Sequence, residues 1–149
     1  MRPVAHTLID SVHVPMAQVF AFLTSPGRMP DWLPACTGVE YEAPLRRGAR
    51  FTVHFGERIT EFEVVDFVPP ATFGLAERGE RTGCKTFFRL DGKSGSTALT
   101  IREVWMPRSL GAWLRGHLRE KRDAERRLSR VVQRVRSMES ACRPLERGL

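Results

Sequence analysis

Between Leu110 and Val135 the apolar residues Leu110, Trp113, Leu114, Leu118, Ala124, Leu128, Val131, Val132 and Val135 recur at spacings of three and four. His117 and Lys121 fall in the same stripe. That period is one face of an α-helix. Pro107 and Ser109 introduce it, and it is predicted to run to about Met138, about 30 residues and about 45 Å. The stretch before it follows a different period. Phe51, Val53 and Phe55 alternate with Arg50, Thr52 and His54, the signature of a half-buried antiparallel strand. A sheet with one apolar face must cover that face. One long amphipathic helix is the only element here large enough to do so.

The remaining elements follow from local signals. Val4 to Val12 reads as a first strand. Pro15 suits the first turn of a helix, where its missing N–H costs nothing, and Val19, Phe20, Phe22 and Leu23 give that helix an apolar face. Ser25 is predicted as the N-cap of a second short helix carrying Met29, Trp32 and Leu33, which Pro34 stops. Val39, Tyr41 and Ala43 alternate with Glu40 and Glu42 as a second strand. Gly56-Glu57 makes a hairpin corner. Ile59 to Val68 is a further strand, in which Val64-Val65 breaks the alternation and suggests a bulge. Ala71 to Arg78 and Thr82 to Leu90 follow. Asp91-Gly92 begins a turn-rich linker through Gly95, and Thr97, Leu99, Ile101, Glu103 and Trp105 share one face of the last strand. The fold class is therefore α+β: a seven-stranded, curved antiparallel sheet wrapped around a long C-terminal helix, with two short helices after the first strand. One domain is expected over residues 1–149, with an ordered core of about 4–138 and a loose tail over 139–149.

Composition limits the function. The 149 residues are 42% hydrophobic and 28% charged, with a net charge of +7. Eleven Arg or Lys against five Asp or Glu lie between Arg115 and Leu149, so nearly all of the excess sits on the helix and tail. Glu120, Asp123 and Glu125 are mixed among these bases, and no aromatic residue follows Trp113. The basic face reads as a solvated surface, capable of weak contact with an acidic surface; nucleic acid is not expected as a partner. Arg119, Arg122, Arg126, Arg127, Arg130 and Arg134 would form the footprint of any macromolecular contact. No run of 18 apolar residues predicts a membrane span. The N-terminus lacks an apolar signal region, so a cytoplasmic location is expected. Cys36, Cys84 and Cys142 have neither zinc spacing nor an even count, and Cys84 reads as a small core residue. No metal-ligand cluster, GxSxG elbow, GxGxxG or P-loop is present, and neither metal nor cofactor is expected.

Several short motifs, in order, resemble the START-like superfamily, which includes polyketide cyclases, plant pathogenesis-related proteins and lipid-transfer domains. Val14-Pro15 followed by Val19-Phe20 is similar to its first-helix pattern, and Pro26, Pro30 and Trp32 to the segment after it. Pro44-Leu45 with Gly48, and Gly95 with Thr97-Ala98-Leu99, match its third-strand entry and its turn into the last strand. The resemblance spans nearly the whole chain and implies a Bet v 1-like helix-grip fold with an internal cavity. It implies an apolar or aromatic ligand, lipid-like or polyketide-like, and alternatively a cyclase- or aromatase-type enzyme using a polar group in that cavity. A monomer or homodimer is expected. The residues expected to line the cavity are Trp32, Phe51, Val53, Phe73, Leu99, Ile101, Glu103, Trp105, Trp113 and Leu114. Glu103 has inward parity with Leu99, Ile101 and Trp105, and Glu77 with Phe73 and Leu75. A carboxylate facing inward must be hydrogen-bonded, paired, solvated or protonated. Glu103, Glu77 and His117 are the candidates for a catalytic or ligand-orienting role.

Overall fold

The computed structural model describes residues 3–78, 84–105 and 121–139. Seven strands form one antiparallel sheet: β1 (Val4–Val12), β2 (Gly38–Glu40), β3 (Arg50–Phe55), β4 (Arg58–Val68), β5 (Thr72–Arg78), β6 (Lys85–Lys93) and β7 (Ser96–Trp105). Their order across the sheet is β1-β7-β6-β5-β4-β3-β2. Two short helices, α1 (Met16–Thr24) and α2 (Met29–Trp32), follow β1, with a 3₁₀ turn at Pro26–Arg28 between them. The helix α3 covers Lys121–Arg136.

Strand parity creates the core. Phe51 and Val53 of β3, Phe62 and Val64 of β4, Phe73 and Leu75 of β5, Phe88 and Leu90 of β6, and Leu99 and Ile101 of β7 are all buried. Phe73 stands opposite Phe88, and Phe88 opposite Ile101, so a continuous apolar row crosses three strands. On α3, Ala124, Leu128, Val131, Val132 and Val135 are buried at spacings of three and four. Leu128, Val131, Val132 and Val135 meet the sheet's apolar face in one cluster with α1 and α2. Each large apolar side chain in such a core contributes about 1.5–3 kcal/mol by its removal from water.

The β1 edge of the sheet is held by specific bonds. Thr97, fully buried, donates its hydroxyl to the Val14 carbonyl at 2.7 Å. Arg136 pairs with Asp10 at 2.9 Å and donates to the Ser11 carbonyl at 3.1 Å, while Glu139 accepts the His13 backbone N–H at 2.7 Å. The far end of α3 is thereby fastened to the edge strand β1, whose backbone groups would otherwise face water.

Four local expectations are corrected. The second strand stops at Glu40, and Tyr41 is exposed: the chain leaves the ladder ahead of Pro44, which has no N–H to give one. Ser25 precedes the 3₁₀ turn but makes no cap; its hydroxyl donates back to the Ala21 carbonyl instead. Asp91-Gly92 is not a linker. β6 continues through Lys93, and the reversal is confined to Ser94-Gly95, whose φ of 37° and 82° suit a two-residue hairpin turn. Cys84 is half-exposed rather than core. The bulge is where alternation fails: the β4–β5 register shifts between Val64 and Asp66. α3 ends at Arg136, two residues short of the predicted Met138. Pro107, Ser109 and the helical stripe from Leu110 to Leu118 lie outside the described residues.

Candidate functional site

Between the sheet, α2 and α3 lies a cavity of about 370 Å³. Its apolar wall comes from Trp32, Leu33, Phe55, Phe62, Leu75, Phe88, Ile101, Leu128 and Val131. Its polar members are Arg58, Glu77, Thr86, Glu103, Arg127 and Arg130, with Cys84 beside them. Trp32 terminates α2 and is 2% exposed; its ring meets that of Phe88 edge-on, centroids 5.5 Å apart. Its Nε1 is buried without a hydrogen-bond partner.

Sheet register explains how carboxylates reach an apolar wall. Leu75, Thr86, Glu103 and His6 stand opposite one another across β5, β6, β7 and β1. Glu77 stands opposite Phe62 of β4. Both acids thus share the face of the buried residues two positions earlier. Each is largely buried and each has an arginine. Arg127 of α3 bonds directly to Glu103 Oε1, linking helix and sheet across the cavity. Arg58 lies 3.8 Å from Glu77 and stacks its guanidinium over Phe55, 4.7 Å from the ring centre. The arginines supply the countercharge that carboxylates in such a setting require. Among the described residues Glu103 Oε2 is not engaged by Arg127 and remains an acceptor on the cavity wall.

Of the residues expected to line a cavity, Trp32, Ile101 and Glu103 lie on this wall, and so does the candidate Glu77. Phe51, Val53, Phe73 and Leu99 are buried in the packed core instead. Phe73 and Phe51 stand directly opposite the wall residues Phe88 and Phe62 yet do not border the cavity themselves. Trp105 is half-buried and is not among the residues on this wall. Trp113, Leu114 and His117 lie outside the described residues. Sequence reasoning missed Arg58, Thr86, Phe88 and Leu128. It also assigned Arg127 and Arg130 to a solvated basic face. Their signal was positional: each neighbours Leu128 or Val131, at the border of the buried stripe. His6, opposite Glu103, is buried with Nε2 lacking a hydrogen-bond partner.

Cys36 is no candidate nucleophile. Burial raises its thiol above the ordinary range, and the Gly38 backbone opposes this only in part. Among the described residues no three His, Cys, Asp or Glu side chains could hold a metal ion together. No helix among the described residues is long and apolar enough to cross a membrane.

No protein-family model matches the chain, and no curated protein matches it. Solved structures do. DynU16, a protein of the dynemicin biosynthetic locus, superposes with a TM-score of 0.67 at 21% identity over 91% of this chain. This chain spans about half of DynU16, 47% of its length. CalU16 from Micromonospora echinospora gives 0.62 at 16% identity, covering 99% of this chain and 92% of that one. Ara h 8.0201 gives 0.64 at 14% identity, covering 91% and 99%. With the strand order, the paired short helices and the C-terminal helix laid on the sheet, these likenesses show that the chain has the helix-grip fold that these solved structures share.

Proposed function

We propose that the protein binds a small apolar or aromatic molecule in the cavity between the sheet and α3. The observation that carries this reading is the cavity itself: about 370 Å³, walled by Trp32, Phe62, Leu75, Phe88 and Ile101, with a few polar groups on one side. An apolar enclosure with sparse, fixed polar groups is the usual form of a small-molecule site. In this reading Glu103, held by Arg127, offers Oε2 to a hydroxyl of the ligand. Lipid-like and polyketide-like molecules both fit such a wall, and the dynemicin locus named for DynU16 agrees with the second.

The experiment is a titration with N-phenyl-1-naphthylamine, a neutral fluorophore that brightens out of water. The wild-type chain is expected to bind it saturably. Thr86 projects between Leu75 and Glu103, so Thr86→Phe would occupy the cavity. Loss of binding in that variant, with its melting transition retained, supports the reading. Equal binding by both proteins overturns it.

A second reading has one observation in its favour. Two carboxylates, Glu77 and Glu103, share the wall, and a cyclase- or aromatase-type enzyme would use such groups for proton transfer while the wall keeps a reactive chain folded. A turnover whose pH–rate profile is displaced by Glu103→Gln would select it over simple binding.

A further inference from the structure

We infer that the ligand carries an anionic group, received by Arg130 at the rim of the cavity. The inference rests on the cavity being a binding site and adds the charge class of what enters it. Three arginines and two carboxylates border the cavity. Arg127 is committed to Glu103, and Arg58 lies against Glu77. Arg130 makes no ion pair or hydrogen bond among the described residues. It follows Ser129 on α3 and precedes Val131, which is buried on the cavity wall, so its stem starts at the edge of the apolar surface. A long basic side chain in that position lays its methylenes along the wall and keeps its head at the water boundary.

The surroundings of Arg130 do not neutralise it. It also borders an adjoining hollow with Asp31, Gln133 and Arg134. Among the described residues Asp31 is the one acid on that hollow and makes no direct pair with either arginine; a second hollow beside Arg130 holds Glu125 with Arg122 and Arg126. Among the described residues the rim therefore has a guanidinium in excess. A guanidinium offers a planar fork of donors that fits a carboxylate or sulfonate better than it fits a neutral oxygen. The ligand implied is amphipathic: a ring system or chain against Trp32, Phe62 and Phe88, with an acid group at the mouth.

Two probes separate this inference from the reading beneath it. N-Phenyl-1-naphthylamine and 8-anilino-1-naphthalenesulfonate share their ring skeleton, and only the second carries a charge. Both are titrated against the wild-type chain, Arg130→Gln and Arg126→Gln. Arg126 is exposed on α3 and does not border the cavity, so it matches the loss of charge without the loss of the rim group. The expected result is that Arg130→Gln weakens the sulfonate probe about three- to fivefold, as for a partly solvated charge pair. The neutral probe should keep its affinity, and Arg126→Gln should change neither by more than about a third of that. Arg130→Lys should recover part of the loss. Retained binding of both probes by Arg130→Gln, or an equal loss in Arg126→Gln, overturns the anionic inference and leaves the apolar cavity standing. Failure of both probes to bind the wild-type chain overturns both.

Discussion

Replacing Trp32 tests the packing at the boundary between core and cavity. Trp32 is 2% exposed, ends α2, and meets Phe88 edge-on at 5.5 Å. Truncating a packed tryptophan to alanine costs about 3–5 kcal/mol in transfer and cavity terms. The lost edge-to-face contact belongs to the upper part of that range, at about 0.5–1.5 kcal/mol. One effect runs the other way. Among the described residues the indole Nε1 has no hydrogen-bond partner, and a buried donor left unmet costs about 1–3 kcal/mol. Removing the indole removes that penalty as well. The net expectation for Trp32→Ala is therefore about 2 kcal/mol, or a fall of about 7 °C in the melting temperature for a chain of this size. Trp32→Phe separates the two contributions. It keeps a ring against Phe88 and deletes the unpartnered N–H, so its cost should stay below about 1.5 kcal/mol. Urea melts followed by circular dichroism measure both. A Trp32→Ala change below about 1 kcal/mol would show that the residue is not packed as described. Equal losses in the two variants would show that Nε1 has a partner, and would refute the accounting.

Two further outcomes are expected. Gly74 lies between Asp66 and Phe87, and a Cβ built on it would meet Phe87 Cδ1 at 2.9 Å and Asp66 Cβ at 3.0 Å. Gly74→Ala should therefore destabilise the sheet at its bulge by about 1–3 kcal/mol, and a urea midpoint equal to wild type would refute this. Asp10 accepts the Ser11 backbone N–H and pairs with Arg136, which together hold its carboxyl below its ordinary value of 3.8. A lowered folded value means that its stabilisation is fully present above the ordinary value and lost as pH falls through the folded one. Asp10→Asn should thus be less stable than wild type at neutral pH, by under about 1 kcal/mol because the pair is exposed. The two curves should converge in acid, and a gap that persists there would contradict the assignment.

Period alone was enough to give the sheet its faces. Phe51, Val53, Phe73, Leu99 and Ile101 are inward because successive side chains of a strand alternate, and this needs no knowledge of partners. The same parity brought Glu77 and Glu103 to the inner face. Parity cannot say how far along its strand a residue stops packing and starts bordering empty space. That depends on where α3 and the short helices leave the sheet, a distance set by the whole assembly. Phe73 and Ile101 occupy the same row, separated by Phe88, yet Ile101 borders the cavity and Phe73 does not. The arginines illustrate the other limit. Charge composition made Arg127 and Arg130 look like members of a solvated stripe with Arg122, Arg126 and Arg134. Helical phase places them differently: Arg127 is three residues after Ala124 and four before Val131, both buried, so its side chain leaves the helix at the edge of the apolar face. An acid of inward parity on a strand and an arginine at the margin of the covering helix can each be read from sequence. That they meet follows only when the helix is laid on the sheet, because the pair depends on the axial position of α3 over β7, which no local period encodes. The proposed site lies where two such partial signals, each ordinary alone, are brought to the same cavity wall.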